Sequence, residues 1–221
     1  MASKKVGNLL ISEGNDQYIQ RIVGLLNQIQ SRAAGRAILN HAKNGKIGIV
    51  PDNSGERCNA STHSIPIVQG MARIEYSPGL QKSCKSIWWS DDESLLHEIV
   101  HGVLVSHGIT NLSTRDDEFY AVLFANIYRS EKGVNPQGEK WKQNPIDLRR
   151  NHGDEKMRGA EAAGFMNNLR HVRLIDNLGC SPQMNPLWWA IAKIETFFNP
   201  IREWATSPKY RLTDMKKMAR I

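Results

Sequence analysis

Apolar positions along the chain fall into three textures. Between residues 17 and 40, Ile19, Ile22, Val23, Leu26 and Ile29 recur every three or four residues. That is the spacing of one buried helix face, with Asp16 as the expected N-cap. From 45 to 80 the texture changes. Gly, Pro, Ser and Asn become frequent, and short β-branched runs stand at 47–50 (IGIV), 65–68 (IPIV) and 72–76 (ARIEY). These predict strands, joined by turns at 51–55 and 78–79, with a further extended piece at 87–89. A third texture begins at SDDESLLHEIVHGVLVSHG. Leu95, Leu96, Ile99, Val100, Val103 and Leu104 cover most sides of a helix over 91–107, which should therefore be buried. Ser90 and Glu93 have capping-box spacing, the first turn is acidic, and Gly108 stands at the stop position. A second helix follows from Thr114 to about Glu131, ended by Gly133. Residues 134–153 read as a loop. Helix resumes near 154–177 and over 186–198, where Trp188, Trp189, Phe197 and Phe198 suggest core.

These elements predict an α+β, zincin-like fold. A small twisted sheet would lie over the helix at 91–107, followed by a mostly helical C-terminal part. One domain is expected, with a helical segment at 1–45, sheet and site helices at 46–135, and a helical subdomain at 136–221.

Composition narrows the picture. With 221 residues, 40% of them hydrophobic, the chain buries a real core without disulfides and is not mainly disordered. The longest apolar runs, at 99–105 and 187–192, are far too short to span a bilayer. The opening MASKKVGNLLISEGND lacks the long apolar run and small-residue cleavage site of a secretory signal. Net charge is +7, much of it in the C-terminal KYRLTDMKKMARI. Zinc-finger spacing, a helix-turn-helix and an aromatic RNA-binding signature are all missing, so nucleic acid is not the expected partner. Cys58, Cys84 and Cys180 are far apart and form no CxxC, which excludes a disulfide framework and a four-cysteine zinc site.

The chemistry concentrates in His97-Glu98-Ile99-Val100-His101, an HExxH motif. Histidines four apart lie on one helix face and can reach one ion. Glu98 points aside, toward a water rather than the metal. That is the layout for zinc-assisted hydrolysis with a carboxylate as general base. A chain of this composition contains HExxH by chance on the order of 1% of the time. Histidines and a glutamate in a buried apolar helix are also costly unless compensated.

A catalytic zinc needs a third protein ligand. His107 completes HExxHxxxxxH, but Leu104 stands where that spacing needs a turning glycine. In a continuing helix His107 lies about 240° around from His101, and a role at the helix C-terminus suits it better. The other candidates are Asp116, Asp117 and Glu118. Glu118 heads a face carrying Ala121, Val122 and Ala125. That face should pack on the HExxH helix and aim Glu118 at the metal, leaving Asp117 to cap or to orient a histidine. Glu118 is favoured over Asp117 and His107. Candidates for stabilising a developing oxyanion are Tyr120, Tyr128, Arg129, His152, Arg170 and His171, with His171 the first to test. An extended substrate could pair with the strand near 74–76.

HEIVH followed by DDEFYAVLFANIYRSEKG resembles a group of secreted bacterial effector metallopeptidases. The group includes NleD-type type III effectors and the zincin domains ending VgrG and Rhs proteins of type VI secretion. In it, a helix with an acidic-Glu-aromatic start supplies the third zinc ligand. The matching residues here are Asp117, Glu118, Phe119, Tyr120, Ala121, Asn126, Ile127, Tyr128 and Arg129. Arg73 to Pro78 resembles the strand before the active helix. The resemblance covers roughly 65–135, and the group often has Glu where this chain has Asp117. It implies a zinc endopeptidase acting as a toxin or virulence effector on a host or rival-bacterium protein. It further implies export by a type III or type VI machine without a cleaved signal, and partners such as a secretion component, chaperone or immunity protein. Two rival readings remain at this level: a zinc hydrolase of another ester or amide, and a basic binding module with a structural metal.

Overall fold

The computed structural model describes residues 3–53, 61–64, 70–79, 90–133 and 165–207. The chain forms two compact units, Met1–Arg129 and Ser130–Ile221. The first is α+β, as the sequence patterns predict. It contains strands β1 (Lys4–Val6) and β2 (Leu9–Ile11) and helices α1 (Asp16–Gln30) and α2 (Ala33–His41). Strands β3 (Ile47–Val50), β4 (Ser61–Ser64) and β5 (Ala72–Glu75) follow, then helices α3 (Asp91–Ser106) and α4 (Thr114–Lys132). The last three residues of α4 fall in the second unit. That unit also holds α5 (Leu169–Cys180), α6 (Asn185–Ala192) and α7 (Pro200–Thr206). No described helix is long and apolar enough to cross a membrane.

The strands make one mixed sheet in the order β1-β2-β3-β5-β4. β1 and β2 form an antiparallel hairpin around Gly7, which takes φ +56. β2, β3 and β5 run parallel, and β4 returns antiparallel on β5. Register aligns Leu9, Ile47 and Ala72 in one row, and Ile11, Ile49 and Ile74 in the next. All six are buried. Helix α3 packs against β3, β4 and β5. A Cβ built on Gly102 would meet the Ile47 side chain at 3.1 Å, tighter than most real Cβ contacts, so any larger residue here needs the isoleucine to give by a few tenths of an ångström. The opposite sheet face carries Leu10, Arg73 and Glu75, and Arg73 forms a bidentate pair with Glu13.

Several expectations need correction. The sheet begins at Lys4, inside the segment read as helical. The helix read over 17–40 is two helices, broken where Arg32 becomes extended (φ −105, ψ 150). Its N-cap is Asn15, which accepts from the Tyr18 amide at 2.8 Å, with Asp16 in the first turn. Ser90 has N-cap geometry, but its hydroxyl makes no capping hydrogen bond. The helix read over 186–198 ends at Ala192. Asn199 then caps α7 and donates to the carbonyls of Ile191 and Ile194. The proposed pairing of a substrate strand with 74–76 also fails at β5, because β3 and β4 already occupy both of its edges. The expected strand at 65–68, the extended piece at 87–89, the loop at 134–153, and Cys58, Cys84 and His152 lie outside the described residues. Cys180 is an exposed free thiol.

Candidate metal centre

Helix α3 is buried on nearly every side, and its termini follow the sequence signals closely. Asp91, Asp92 and Glu93 occupy the first turn. At the other end Gly108 (φ +76) closes a Schellman motif: its amide donates to the Val105 carbonyl and that of Ile109 to Leu104, each at 2.9 Å. Helix α4 is preceded by Ser113, whose hydroxyl accepts from the Asp116 amide at 3.1 Å. Paired contacts then run in opposite sense along the two helices. Asp117 meets His101 near one end, while Tyr128 meets Asp92 and Arg129 meets Glu93 near the other. The helices are therefore antiparallel, and Ala121, Val122 and Ala125 between them are buried.

This hairpin brings His97, His101 and Glu118 into one cluster, which could hold a metal ion. The Nε2 atoms of the two histidines lie 3.2 Å apart. Glu118 Oε2 is 3.4 Å from His97 Nε2, and Oε1 is 3.7 Å from His101 Nε2. Two ligands bound at zinc distances to a tetrahedral ion lie about 3.3 Å apart. The histidine separation matches an edge of such a shell, each histidine approaches a different Glu118 oxygen, and one ligand atom from each residue lies within 4.8 Å of the others. His97 and His101 are 5% and 7% exposed, so water does not compensate for bringing these groups together.

His101 Nδ1 lies 2.9 Å from Asp117 Oδ2, an ion-pair contact on the opposite side of the ring from Nε2, which approaches His97 and Glu118. Electrostatics favour positive charge in the cluster. Burial, the largest single influence on His101, works against its charged form. Asp117, Glu98 and Glu118 together outweigh it, and the pKa is raised. On His97 burial wins over Glu118 and Glu98, and the pKa is lowered. The result is an imidazole held neutral beside one drawn toward positive charge, with three carboxylates close by. A divalent cation satisfies that arrangement better than protons do.

Glu98 is 7% exposed and sits on the side of α3 that faces the sheet edge. Thr62 on β4 donates its hydroxyl to Glu98 Oε2 at 2.7 Å. Sequence reasoning missed Thr62. STHS contains no apolar residue, so the alternation that reveals a strand has nothing to show.

His107 lies outside the cluster, as the helix geometry requires. Its Nε2 donates to the His41 carbonyl at 2.9 Å, and the two rings stack at 4.3 Å. It thus serves a helix C-terminus, that of α2. Among the oxyanion candidates, Tyr128 donates to Asp92 Oδ2 at 2.7 Å and Arg129 pairs with Glu93. Both are committed at the far end of the hairpin from Asp117. Tyr120 is buried. Arg170 and His171 belong to the second unit. There His171 donates from Nδ1 to the Phe165 carbonyl at 3.0 Å and stacks on the Phe165 ring.

No protein-family model matches the chain, and neither a curated protein nor a solved structure matches it. The functional reading therefore rests on the residues themselves.

Proposed function

We propose that this chain is a zinc-dependent endopeptidase, and that it acts as a secreted bacterial toxin or virulence effector on a host or rival-bacterium protein. The observation carrying the peptidase reading is the set His97, His101 and Glu118 with Glu98 beside it on α3. His97 Nε2, His101 Nε2 and Glu118 would hold the ion. When bound, zinc supplies Lewis acidity, which acidifies a water and polarises a carbonyl. Among the described residues the cluster offers three protein ligands, rather than the four of a closed structural site, which favours a catalytic role over the structural-metal reading.

The chain's own groups then divide the work. Asp117 holds His101 in the ligating tautomer. Glu98 accepts the proton of the attacking water and delivers it to the departing amine. An extended substrate would be taken at β4, whose outer edge is open among the described residues. The effector role rests on the likeness of HEIVH and the Asp117-Glu118-Phe119 helix start to the secreted metallopeptidases.

Zinc per chain, hydrolysis of unfolded protein substrates and growth of cells expressing the protein test this reading together. Wild type should bind one zinc, cleave protein and impair growth. Glu98→Ala should keep zinc and lose the other two. Zinc binding with cleavage of esters but not peptides would move the assignment to another hydrolase. Absence of zinc after reconstitution would defeat it.

A further inference from the structure

Register extends the row Ile11, Ile49, Ile74 by one residue, to Thr62 at the sheet edge. Three fully buried isoleucines are followed by a half-buried threonine on the face that meets α3. Packing alone would accept valine there, since the two side chains have nearly the same shape. What threonine adds is a hydroxyl, and that hydroxyl lies 2.7 Å from Glu98 Oε2 and 3.1 Å from the Glu98 carbonyl oxygen. The shorter contact has the ordinary length of an O–H···O hydrogen bond.

We infer that Thr62 is a positioning residue for Glu98. A glutamate side chain turns about three bonds, and an unanchored one spreads its carboxylate over several rotamers. The Thr62 hydroxyl removes that freedom by holding Oε2, which leaves Oε1 as the oxygen available to accept a proton. Thr62 sits on the edge strand of the described sheet, so the element that holds the base is also the one whose outer side is open among the described residues. The catalytic consequence rests on the peptidase reading. The hold on Glu98 rests on the geometry alone.

The test compares wild type with Thr62→Val, which keeps the shape, and Thr62→Ser, which keeps the hydroxyl. With zinc bound, Thr62→Val should lower kcat on a protein substrate about 10- to 100-fold, the scale of a misplaced catalytic group. KM and zinc content should not change, and Thr62→Ser should recover most of the rate. A second readout needs no activity. In protein labelled at the glutamate carboxyl carbons, the NMR resonance absent from Glu98→Gln belongs to Glu98. It should move in Thr62→Val and return in Thr62→Ser. An unmoved resonance overturns the inference, as does a moved one with unchanged kcat. A wild type that binds zinc yet cleaves no protein defeats the peptidase reading instead, and the resonance alone then decides whether Thr62 holds Glu98.

Discussion

Asp117 Oδ2 lies 2.9 Å from Nδ1 of His101, across the ring from the Nε2 that approaches His97 and Glu118. Two consecutive acidic residues thus serve one site from opposite ends of an imidazole. Asp117 lies against the ring, and Glu118 shares the cluster. Partners of this kind tune ligand basicity and orientation. Asp117→Asn should therefore weaken zinc binding about 10- to 100-fold while leaving the fold intact. Competition against a chelator of known affinity measures this, and unchanged affinity would show that the contact is incidental.

The same pair gives the metal-free protein a pH dependence. The His101 pKa is raised on folding: burial opposes the charge, but Asp117, Glu98 and Glu118 outweigh it. A histidine shifted upward contributes stability that is fully present below its unfolded value, about 6.5, and is lost as pH rises through the folded value. The lowered pKa of His97 has the opposite sign, and its penalty grows as pH falls. Burial, the main cause of that penalty, is common to wild type and Asp117→Asn, while the smaller part set by the His101 charge works against the difference without being its main source. In chelator-treated protein, urea midpoints should show a larger loss for Asp117→Asn below the unfolded value than at mildly alkaline pH. Equal losses would mean that Asp117 acts independently of the His101 charge.

Legibility in the sequence followed the range of the interaction. Helix α3, its glycine stop and the opening of α4 are local patterns, and each was readable from residues within a few positions. The place of Glu118 in the cluster was also accessible, because Glu118 heads a face whose small apolar residues must pack on another helix. β1 and β2 were hidden for a different reason. Each has three residues, and β2 finds its parallel partner β3 some 38 positions away, at Leu9 and Ile47. The break at Arg32 left no proline to mark it. Its trace is Gly35, where a Cβ would come within 2.0 Å of the Ile29 carbonyl oxygen. Thr62 was the least visible of all, because its value lies in one hydroxyl at the end of an otherwise apolar row.

At the far end of the α3–α4 hairpin, Tyr128 is fully buried and donates to Asp92, which is 2% exposed. Burial, then Asp92, push the phenol pKa upward, so the hydroxyl stays protonated and donates. A hydrogen bond to a charged, buried acceptor contributes about 1.5–3 kcal/mol. Tyr128→Phe should cost that much in urea unfolding and leave zinc stoichiometry unchanged, because the hydroxyl belongs to the hairpin and not to the cluster. A parallel loss of zinc would show that the hairpin's far end governs ligand spacing.

Gly102 follows His101 directly and faces Ile47 on β3. A Cβ there would stand 3.1 Å from Ile47 Cγ2 and 3.3 Å from Cδ1. Valine adds two further methyl groups to a contact that is already full. Relief comes from the Ile47 side chain turning aside or from α3 lifting off the sheet, and α3 carries both histidines. Glu118 sits on α4, so it need not move with them. Overpacking of this kind costs about 1–3 kcal/mol. Gly102→Val should therefore lose stability of that order and bind zinc more weakly, because the distances from Glu118 to the histidine Nε2 atoms change. The decisive comparison is the double variant with Ile47→Ala, which opens the space that the new side chain needs. Recovery of both stability and zinc affinity, relative to Gly102→Val alone, would establish that the sheet sets the height of the metal-binding helix. Recovery of stability without affinity would show that the cluster depends on Gly102 for another reason.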